Sequence, residues 1–501
     1  MVFSSITFLF AYLPLVLIGY HLVFAGVGRG VRPEFWRRAS NLYLIFVSLG
    51  FYFWGEGWLV WIICASTGVD YLCGLYIVGG EREGDPLQLE VGGLRTPRQR
   101  VGLIVSLVSN LGFLAYFKYY NFGIDAFNQV VPASWQLHDV AYVALPLGIS
   151  FYTFQSMSYT IDVYRGQVKA TRNMIDFTSF VTIFPQLVAG PIVRYSDIAR
   201  QLVERTVNLG LFASGVERFI VGLAKKVLIA NTAAKASDMM FGLPEAQLTT
   251  PLAWLGLFAF TVQVYFDFSG YSDMAIGLGR MLGFQFPENF NYPYISKSIS
   301  EFWRRWHITL STWFRDYLFI PLGGSRGSPL RTYLNLWTVF FLCGLWHGAS
   351  GHMVTWGSYH GLVMVIEGTR FGSRFTRLPL GLSHAYMLLA LMGSWPIFNG
   401  TSWEHTLFYY RALVVPTESL TYLHVHEYFS ADVRIAMVLG VIFSMPVIVP
   451  ISGFARAVAA RGKLGAGLVE GLRVTGLMAA LVLCAMSLSA GTHNPFIYFR
   501  F

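Results

Sequence analysis

Two histidines are the residues of this sequence best suited to proton transfer. His347 closes the apolar segment 332–348, which holds no other ionisable group, and His307 lies in the charged segment 301–322. Apolar surroundings favour the neutral form of an imidazole, which is the form that accepts a proton in general-base catalysis. A histidine at a helix end is also compatible with packing or capping. The residue types alone leave both interpretations open.

The segment 301–322 predicts one amphipathic helix that lies along an interface or lines a wet cavity. At about 100° per residue, its aromatic side chains fall on one arc and its charged side chains on the opposite arc. His307 lies at the boundary between the two arcs. On the polar arc we expect substrate contacts from Arg304, Arg305, Ser311 and Arg315. The same arginines are compatible with a simple interfacial anchor.

A third polar cluster interrupts the apolar stretch 252–282. Gln263, Asp267 and Tyr271 share one helix face, whereas Asp273 points elsewhere. Ionisable groups at membrane depth are costly, so each is a functional candidate by default. Asp267 and Tyr271 are therefore candidate substrate contacts. Hydrogen bonding between neighbouring helices explains them as well.

The elements that must position these residues are membrane spans. Hydrophobic residues form 54% of the 501 positions, charged residues only 13%, and the mean hydropathy is +0.51. Soluble domains carry about 25% charged residues, so this chain lacks the polar surface that water requires. Apolar windows of the length that crosses a bilayer lie near residues 6–24, 41–53, 58–77, 101–117, 140–163, 177–190, 211–230, 252–282, 332–348, 353–367, 385–398, 435–451 and 472–489.

The sequence therefore predicts an all-α polytopic membrane protein with about 11–13 membrane helices, some of them re-entrant. No soluble domain, long linker or fixed-period repeat interrupts the spans, so residues 1–501 form one predicted domain. The net charge of +9 needs no nucleic-acid partner, because basic loops after the first, third and fifth spans explain it. The sequence contains no phosphate-binding loop, no nucleophile elbow and no zinc-binding helix motif, and we expect no metal site.

Several strings of the sequence are distinctive. One, starting at Tyr265, reads YFDFSGYSDMAIGLGRMLGFQFPENFNYPYISKSISEFWRRWHITLSTWFRDYLFIPLGG, and another, starting at Arg331, reads RTYLNLWTVFFLCGLWHGAS. The opening MVFSSITFLF and the closing PFIYFRF belong to the same pattern. With these strings the chain resembles the membrane-bound O-acyltransferase family, in the branch of the bacterial alginate O-acetylation membrane proteins. The resemblance is most specific over residues 265–349.

The resemblance implies tilted spans around a central catalytic funnel. It also implies that the histidine of GLWHG, here His347, is the catalytic general base. The histidine of RRWH, here His307, is the second implied position, which positions or polarises the reacting carbonyl. Trp346, next to His347, is a further candidate substrate contact. The implied donor is cytoplasmic acetyl-CoA, used as a substrate, and no permanently bound cofactor is expected.

The implied role is to pass acetyl groups across the bacterial inner membrane for O-acetylation of an exported polysaccharide, alginate or a similar polymer. The expected partners are a periplasmic acetyltransferase, the polysaccharide export machinery and membrane lipid. A transporter or flippase is an alternative, because many spans and an interruption near Pro146 and Gly148 fit transport as well. A non-catalytic scaffold of the export machinery is another alternative, and it predicts that substitutions of the histidines are tolerated.

Overall fold

The structure, a computed structural model, describes residues 3–28, 33–79, 87–245, 247–416, 429–491, 493–495 and 497. These residues form helices, turns and irregular segments, and no β-strand occurs among them, which confirms the all-α fold class. The α-helices are α1 (Leu13–Gly28), α2 (Pro33–Glu56), α3 (Val60–Val78), α4 (Pro97–Val130), α5 (Ile149–Arg165), α6 (Met174–Thr182), α7 (Phe184–Leu187), α8 (Tyr195–Glu204), α9 (Leu209–Ala224), α10 (Asn231–Phe241), α11 (Thr250–Met281), α12 (Ile299–Arg305), α13 (Ile308–Phe314), α14 (Pro329–His347), α15 (Gly351–Gly368), α16 (Leu380–Met392), α17 (Trp395–Asn399), α18 (Trp403–Val414), α19 (Ala431–Phe443), α20 (Ile448–Ala459) and α21 (Lys463–Ser489).

Several of these helices can cross a membrane. By length and composition, five helical segments of the described chain qualify, namely Phe8–Gly26, Pro33–Val78, Pro97–Val130, Thr250–Met281 and Lys463–Ser489. The helices α19 and α20, bent by 77° against each other, form a sixth if they count as one span. In α21 only 6% of the apolar window is buried, so most of its side chains are available to lipid. The protein is a multi-pass integral membrane protein.

The other predicted spans fold as helices that are shorter or more polar, so the number of about 11–13 crossings stays a prediction. The window 177–190 is not one helix, because α6 ends at Thr182 and a new short helix begins at Phe184. Pro185 stands in the first turn of that helix, where its missing N–H is tolerated. The window 140–163 is helical only from Ile149 onward, after Gly148 in a left-handed conformation. Hydropathy depends on amino-acid composition and therefore does not predict such breaks in a helix.

The chain divides into two compact units. The first contains Met1–Val216 and Ala275–Pro287, and the second contains Glu217–Met274 and Glu288–Phe501. The prediction of a single domain over residues 1–501 stays a prediction.

In the first unit, α3, α4 and α5 pack around a buried carboxylate. Asp70 accepts hydrogen bonds from Ser106 at 2.6 Å, from Asn110 at 2.8 Å and from Ser156 at 2.5 Å. Hydrocarbon offers no hydrogen bonds, so polar side chains in membrane helices bond to one another and fix helix packing. The carboxylate of Asp70 therefore has a structural explanation.

In the second unit, α14 and α15 pack closely through glycines. A Cβ atom on Gly344 would lie 3.1 Å from the Cα atom of Gly357 and would clash with the carbonyl oxygen of Met353. Small residues allow membrane helices to approach this closely. The missing side chain of Gly344 thus makes room for a neighbouring backbone. This packing brings the ring of His347 to 5.1 Å from the ring of Trp356, measured between centroids.

Candidate active site

His307 lies at a break in the backbone. Helix α12 ends at Arg305, Trp306 is extended with φ −100° and ψ 131°, and α13 begins at Ile308. His307 itself has φ 44° and ψ 54°, a left-handed conformation that costs a residue with a side chain about 1–2 kcal/mol. The prediction of one continuous helix over 301–322 is therefore wrong. The aromatic and charged arcs were predicted from a regular helical rotation through His307, and the break interrupts that rotation.

Two asparagines hold this break in place through their backbones. The N–H of Ile308 donates to the carbonyl oxygen of Asn289 at 3.0 Å. The N–H of Asn291 donates to the carbonyl oxygen of Arg305 at 2.9 Å. Backbone strain persists only where the surrounding structure fixes it, and such sites are often functional. The segment that contains Asn289 and Asn291 thus fixes the direction in which His307 points.

The imidazole of His307 is fully buried, and Asn289 sets its tautomer. The Oδ1 atom of Asn289 accepts from the N–H of Thr309 at 3.3 Å and from its hydroxyl at 2.9 Å, which identifies this atom as the amide oxygen. The same oxygen lies 3.2 Å from Nδ1 of His307, so Nδ1 carries the proton. Nε2 of His307 has no hydrogen-bond partner among the described residues.

The protonation state of His307 follows from its surroundings. Burial, and to a smaller extent the neighbouring His347, lower the pKa of the His307 imidazole well below its ordinary value. The ring is therefore neutral at physiological pH, with the lone pair of Nε2 available. An imidazole in this state accepts a proton or a hydrogen bond through Nε2 and cannot donate from that atom.

His347 closes α14, as the sequence predicts, and is surrounded by aromatic rings. Its own side chain is buried, with 7% of the residue exposed. Trp346 lies close to both histidines, with ring centroids 4.9 Å from His347 and 6.3 Å from His307. A small cavity of about 20 Å³, enough for about one water molecule, reaches His347. Its lining consists of Val264, Phe268, Phe302, Trp303, Trp306, His347, Trp356, Trp395, Phe398 and Ile497.

A larger cavity of about 560 Å³ lies between α12, α13 and α14. Three of the predicted substrate contacts, Arg304, Ser311 and Arg315, line it. Arg304 and Arg315 are exposed, whereas the opposite wall is formed by buried side chains such as Phe340 and Cys343. The cavity therefore has a cationic rim and an apolar interior.

Arg305 behaves differently from the arginines at this rim. Its guanidinium pairs with Glu301 at 2.9 Å on the same helix and donates to the backbone oxygen of Asn291 at 3.2 Å. Arg315 also has a carboxylate neighbour, Asp316 at 2.7 Å, but it lines the cavity as well. Arg305 lines neither cavity. Its role as a substrate contact stays a prediction.

Comparison with known proteins bears on the family of this chain. Residues 167–379 match the sequence pattern of the membrane-bound O-acyltransferase family. The protein named "Probable alginate O-acetylase AlgI" of Pseudomonas putida is 40% identical over 522 residues, which cover 100% of both chains. The chain belongs to the membrane-bound O-acyltransferase family.

Two further proteins are similar to this chain. The protein of Pseudomonas aeruginosa, also named "Probable alginate O-acetylase AlgI", is 45% identical over 82% of this chain and 75% of its own length. The "Peptidoglycan O-acetyltransferase" of Helicobacter pylori is 34% identical over 73% of this chain and 70% of its own. This membrane-bound O-acyltransferase is thus an acyltransferase, and the predictions of family, fold class and enzyme class are confirmed. The roles of individual residues stay predictions.

In this acyltransferase, Asp267 forms a buried ion pair that the sequence analysis missed. Lys226 lies 2.5 Å from Oδ1 of Asp267, and both side chains are 2% exposed. Oδ2 of Asp267 accepts from the N–H of Ile497 at 2.9 Å, and Lys226 donates to the backbone oxygen of Pro495. A lysine inside the predicted span 211–230 was the available signal. Tyr271, one turn further along α11, is buried, and neither it nor Asp267 lines either cavity.

Asp273 pairs with two basic residues, neither of which is the partner of Asp267. Arg218 lies 2.7 Å from its Oδ1 atom and Lys225 lies 2.7 Å from its Oδ2 atom. These contacts give the carboxylate a structural role. Of the residues that the sequence predicted for the site, the structure thus brings His307, His347 and Trp346 together and places Arg304, Ser311 and Arg315 around the larger cavity.

Proposed function

We propose that this acyltransferase takes acetyl from cytoplasmic acetyl-CoA and passes it across the bacterial inner membrane for O-acetylation of an exported polysaccharide. The observation that carries the proposal is a neutral, buried His307 with an available Nε2 lone pair beside His347, next to a cavity with a cationic rim. The names of the relatives, which are O-acetylases of alginate and of peptidoglycan, support the acyl group and the class of acceptor. Alginate or a similar polymer is the acceptor that we favour.

The larger cavity is the proposed donor site. CoA carries several phosphate charges at one end and an apolar arm with the thioester at the other. Arg304 and Arg315 at the rim can form charge-assisted hydrogen bonds to phosphate oxygens, for which the planar guanidinium is well suited. Ser311 adds a hydroxyl at the same rim. The apolar wall around Phe340 and Cys343 suits the arm that leads to the thioester.

The proposed reaction is direct transfer between a thioester and a hydroxyl. The acceptor oxygen attacks the carbonyl carbon, the new C–O bond forms, and the hydroxyl proton passes to an imidazole nitrogen. The C–S bond then breaks, and the CoA thiolate leaves and takes up the proton. A dry, aromatic surrounding strengthens the electrostatic interactions of such a step.

The sequence assigned proton abstraction to His347 and polarisation of the carbonyl to His307. We retain His347 as the general base and reassign His307. Polarising a carbonyl requires a donor, whereas Nε2 of neutral His307 is an acceptor because Asn289 holds the proton on Nδ1. His307 is therefore proposed to accept a hydrogen bond from the acceptor hydroxyl and so to orient it toward the thioester.

The acceptor polysaccharide lies outside the cytoplasm, so a relay is needed. We propose that a periplasmic acetyltransferase, together with the polysaccharide export machinery, carries the acetyl group onward. This acyltransferase would recognise the periplasmic partner by the hydroxyl that the partner presents to the cavity at His347. We expect such a protein to co-purify with this acyltransferase. Deletion of either protein should abolish acetylation of the polymer. Acetylated polymer in the absence of the partner would refute the relay.

The central experiment measures acetyl transfer from labelled acetyl-CoA in membranes that contain the protein. His347→Ala should reduce the rate by about 10²–10⁴-fold, the usual contribution of general-base catalysis. His352→Ala is the matched control, because His352 lies on the next helix and lines neither cavity. Both variants should insert into the membrane in equal amounts. Undiminished transfer by a correctly inserted His347→Ala protein would refute the proposal and would favour a scaffold.

A further inference from the structure

Trp303 lines both the small cavity at His347 and the larger cavity between α12, α13 and α14. Its ring centroid lies 5.1 Å from that of Phe340, which lines the larger cavity, and 5.8 Å from that of Trp356, which lines the small cavity at His347. The indole is buried, with 4% exposed. It therefore forms the partition between the proposed donor cavity and the space beside His347.

A chain of hydrogen bonds holds this indole in place. The Nε1–H group of Trp303 donates to Nδ1 of His360 at 3.4 Å, so Nδ1 is the acceptor nitrogen. Nε2 of His360 then carries the proton and donates to the hydroxyl oxygen of Ser394 at 3.2 Å. The Ser394 hydroxyl donates in turn to the carbonyl oxygen of Leu391 at 2.7 Å. Each donor in the chain meets an acceptor, and the two ends are an indole N–H and a helix carbonyl.

Helix α12, which carries Trp303, is anchored from the same side. The N–H groups of Ile299 and Ser300, in its first turn, donate to the carboxylate of Glu367 at 2.7 Å and 2.9 Å. A carboxylate at a helix N-terminus satisfies unpaired donors and interacts favourably with the helix dipole. The Glu367 side chain is itself buried and accepts from the hydroxyl of Tyr386 at 3.1 Å. The position of the indole is thus fixed at the helix and at the ring.

We propose that Trp303 limits the size of the acyl group that this enzyme transfers. The inference rests on the proposed function, because it places the thioester at the junction of the two cavities. When the thioester carbonyl of the donor lies within reach of the imidazoles, the acyl tail has to extend into the space beside His347. That space of about 20 Å³ holds about one water-sized group, which fits the methyl of an acetyl group. A longer acyl chain would have to displace the indole.

His360 is a positioning residue in this proposal. It contacts Trp303 and lies fully buried behind it, and it lines neither cavity. Loss of its Nδ1 acceptor would leave the indole N–H without its partner and free the ring to move. The chemistry of transfer stays the same for every acyl group, since the C–S bond breaks, the C–O bond forms and the acceptor proton ends on the thiolate. Only the room for the tail changes.

The test compares acetyl-CoA with butyryl-CoA as donors in the membrane assay. A single methylene changes discrimination in an apolar pocket by about 10-fold or more. The ratio of butyryl to acetyl transfer should therefore rise at least about 10-fold in Trp303→Ala and should rise less in Trp303→Phe, which retains a ring and preserves packing if the alanine variant fails to fold. Trp337→Ala is the matched control, because Trp337 is 38% exposed and lines neither cavity. An unchanged ratio in a Trp303 variant that still transfers acetyl would overturn the proposal.

The His360 variants separate positioning from simple stability. His360→Ala should raise the ratio of butyryl to acetyl transfer. His360→Gln should keep the ratio of the unmodified protein, because the glutamine amide offers an acceptor toward Trp303 and a donor toward Ser394. A merely structural role would lower all rates together and leave the ratio unchanged. Absence of acetyl transfer by the unmodified protein would count against the proposed function instead, so the two failures are distinguishable.

Discussion

Replacing Asn289 by aspartate should move the acid limb of the pH–rate profile to higher pH. The amide nitrogen of Asn289 has no hydrogen-bond partner among the described residues, so exchanging it for an oxygen removes no bond. The retained oxygen still accepts from Thr309 and lies 3.2 Å from Nδ1 of His307. The substitution therefore keeps the hydrogen bonds of the Asn289 side chain and adds one negative charge beside the imidazole.

The sign and size of the effect follow from the state of His307. In the unmodified protein, burial and His347 lower the pKa of His307, so the ring stays neutral at pH values well below its ordinary range. Activity that needs this neutral ring is lost only as the pH falls through that lowered pKa. An opposite charge in contact shifts a pKa by about 1–3 units, here upward for the imidazolium. The acid limb should move upward by about the same amount.

The assay is the initial rate of acetyl transfer in membranes from acid to neutral pH, with thermal unfolding in detergent as the measure of stability. Asn291→Asp is the matched control, because the Asn291 side chain is exposed and this residue contacts α12 through its backbone. Asn289→Ala should instead reduce stability by about 1–3 kcal/mol, since it removes the acceptor of the buried Nδ1–H group of His307. If Asn289→Asp melts like the unmodified protein and its acid limb coincides with that of Asn291→Asp, the assignment of neutral His307 as the hydrogen-bond acceptor for the substrate hydroxyl is wrong.

Two further substitutions test the donor cavity and the buried ion pair. Arg304→Glu should raise the KM for acetyl-CoA about 10-fold or more with little change in kcat, because charge-assisted hydrogen bonds contribute about 1.5–3 kcal/mol. Arg331→Glu is the control, because Arg331 lines neither cavity. An equal rise of the KM in both variants would contradict the prediction. Asp267→Asn should lower the free energy of unfolding by about 3–5 kcal/mol, because it leaves Lys226 buried without its carboxylate, as thermal unfolding can measure. Asp432→Asn breaks the exposed pair with Lys235 and should cost less than about 1 kcal/mol, so equal losses would refute the distinction.

The sequence was most informative where residue type alone decides the outcome. Low charge and long apolar windows predicted the membrane class, and the long helices of the structure agree. His347 drew attention as a histidine in an apolar segment, and the family resemblance implied catalytic roles for both His347 and His307. The structure brings both near the ring of Trp346. These features depend on composition and on short strings, which a single sequence displays directly.

The local geometry of the site could not be predicted in this way. His307 adopts a left-handed conformation that its residue type does not favour, and the flanking residues have good helical periodicity. The conformation is imposed by Asn289 and Asn291, which precede it by 18 and 16 positions. Periodicity describes neighbours on one helix and carries no information about such tertiary contacts. The same reason explains why His360 was not recognised as the support of Trp303.

The polar residues buried in this chain differ in how far the protein itself satisfies them. Asp70 is surrounded by donors from three side chains, and Asp267 is paired with Lys226 from a different helix. Buried polar groups are costly unless satisfied, so these carboxylates have all that stability requires of them. His307 is different, because Asn289 binds one ring nitrogen and the described residues leave Nε2 without a partner. Among the described residues the fold orients this buried acceptor and leaves it unsatisfied, so we propose a substrate hydroxyl as its partner and do not assign this role to the carboxylates.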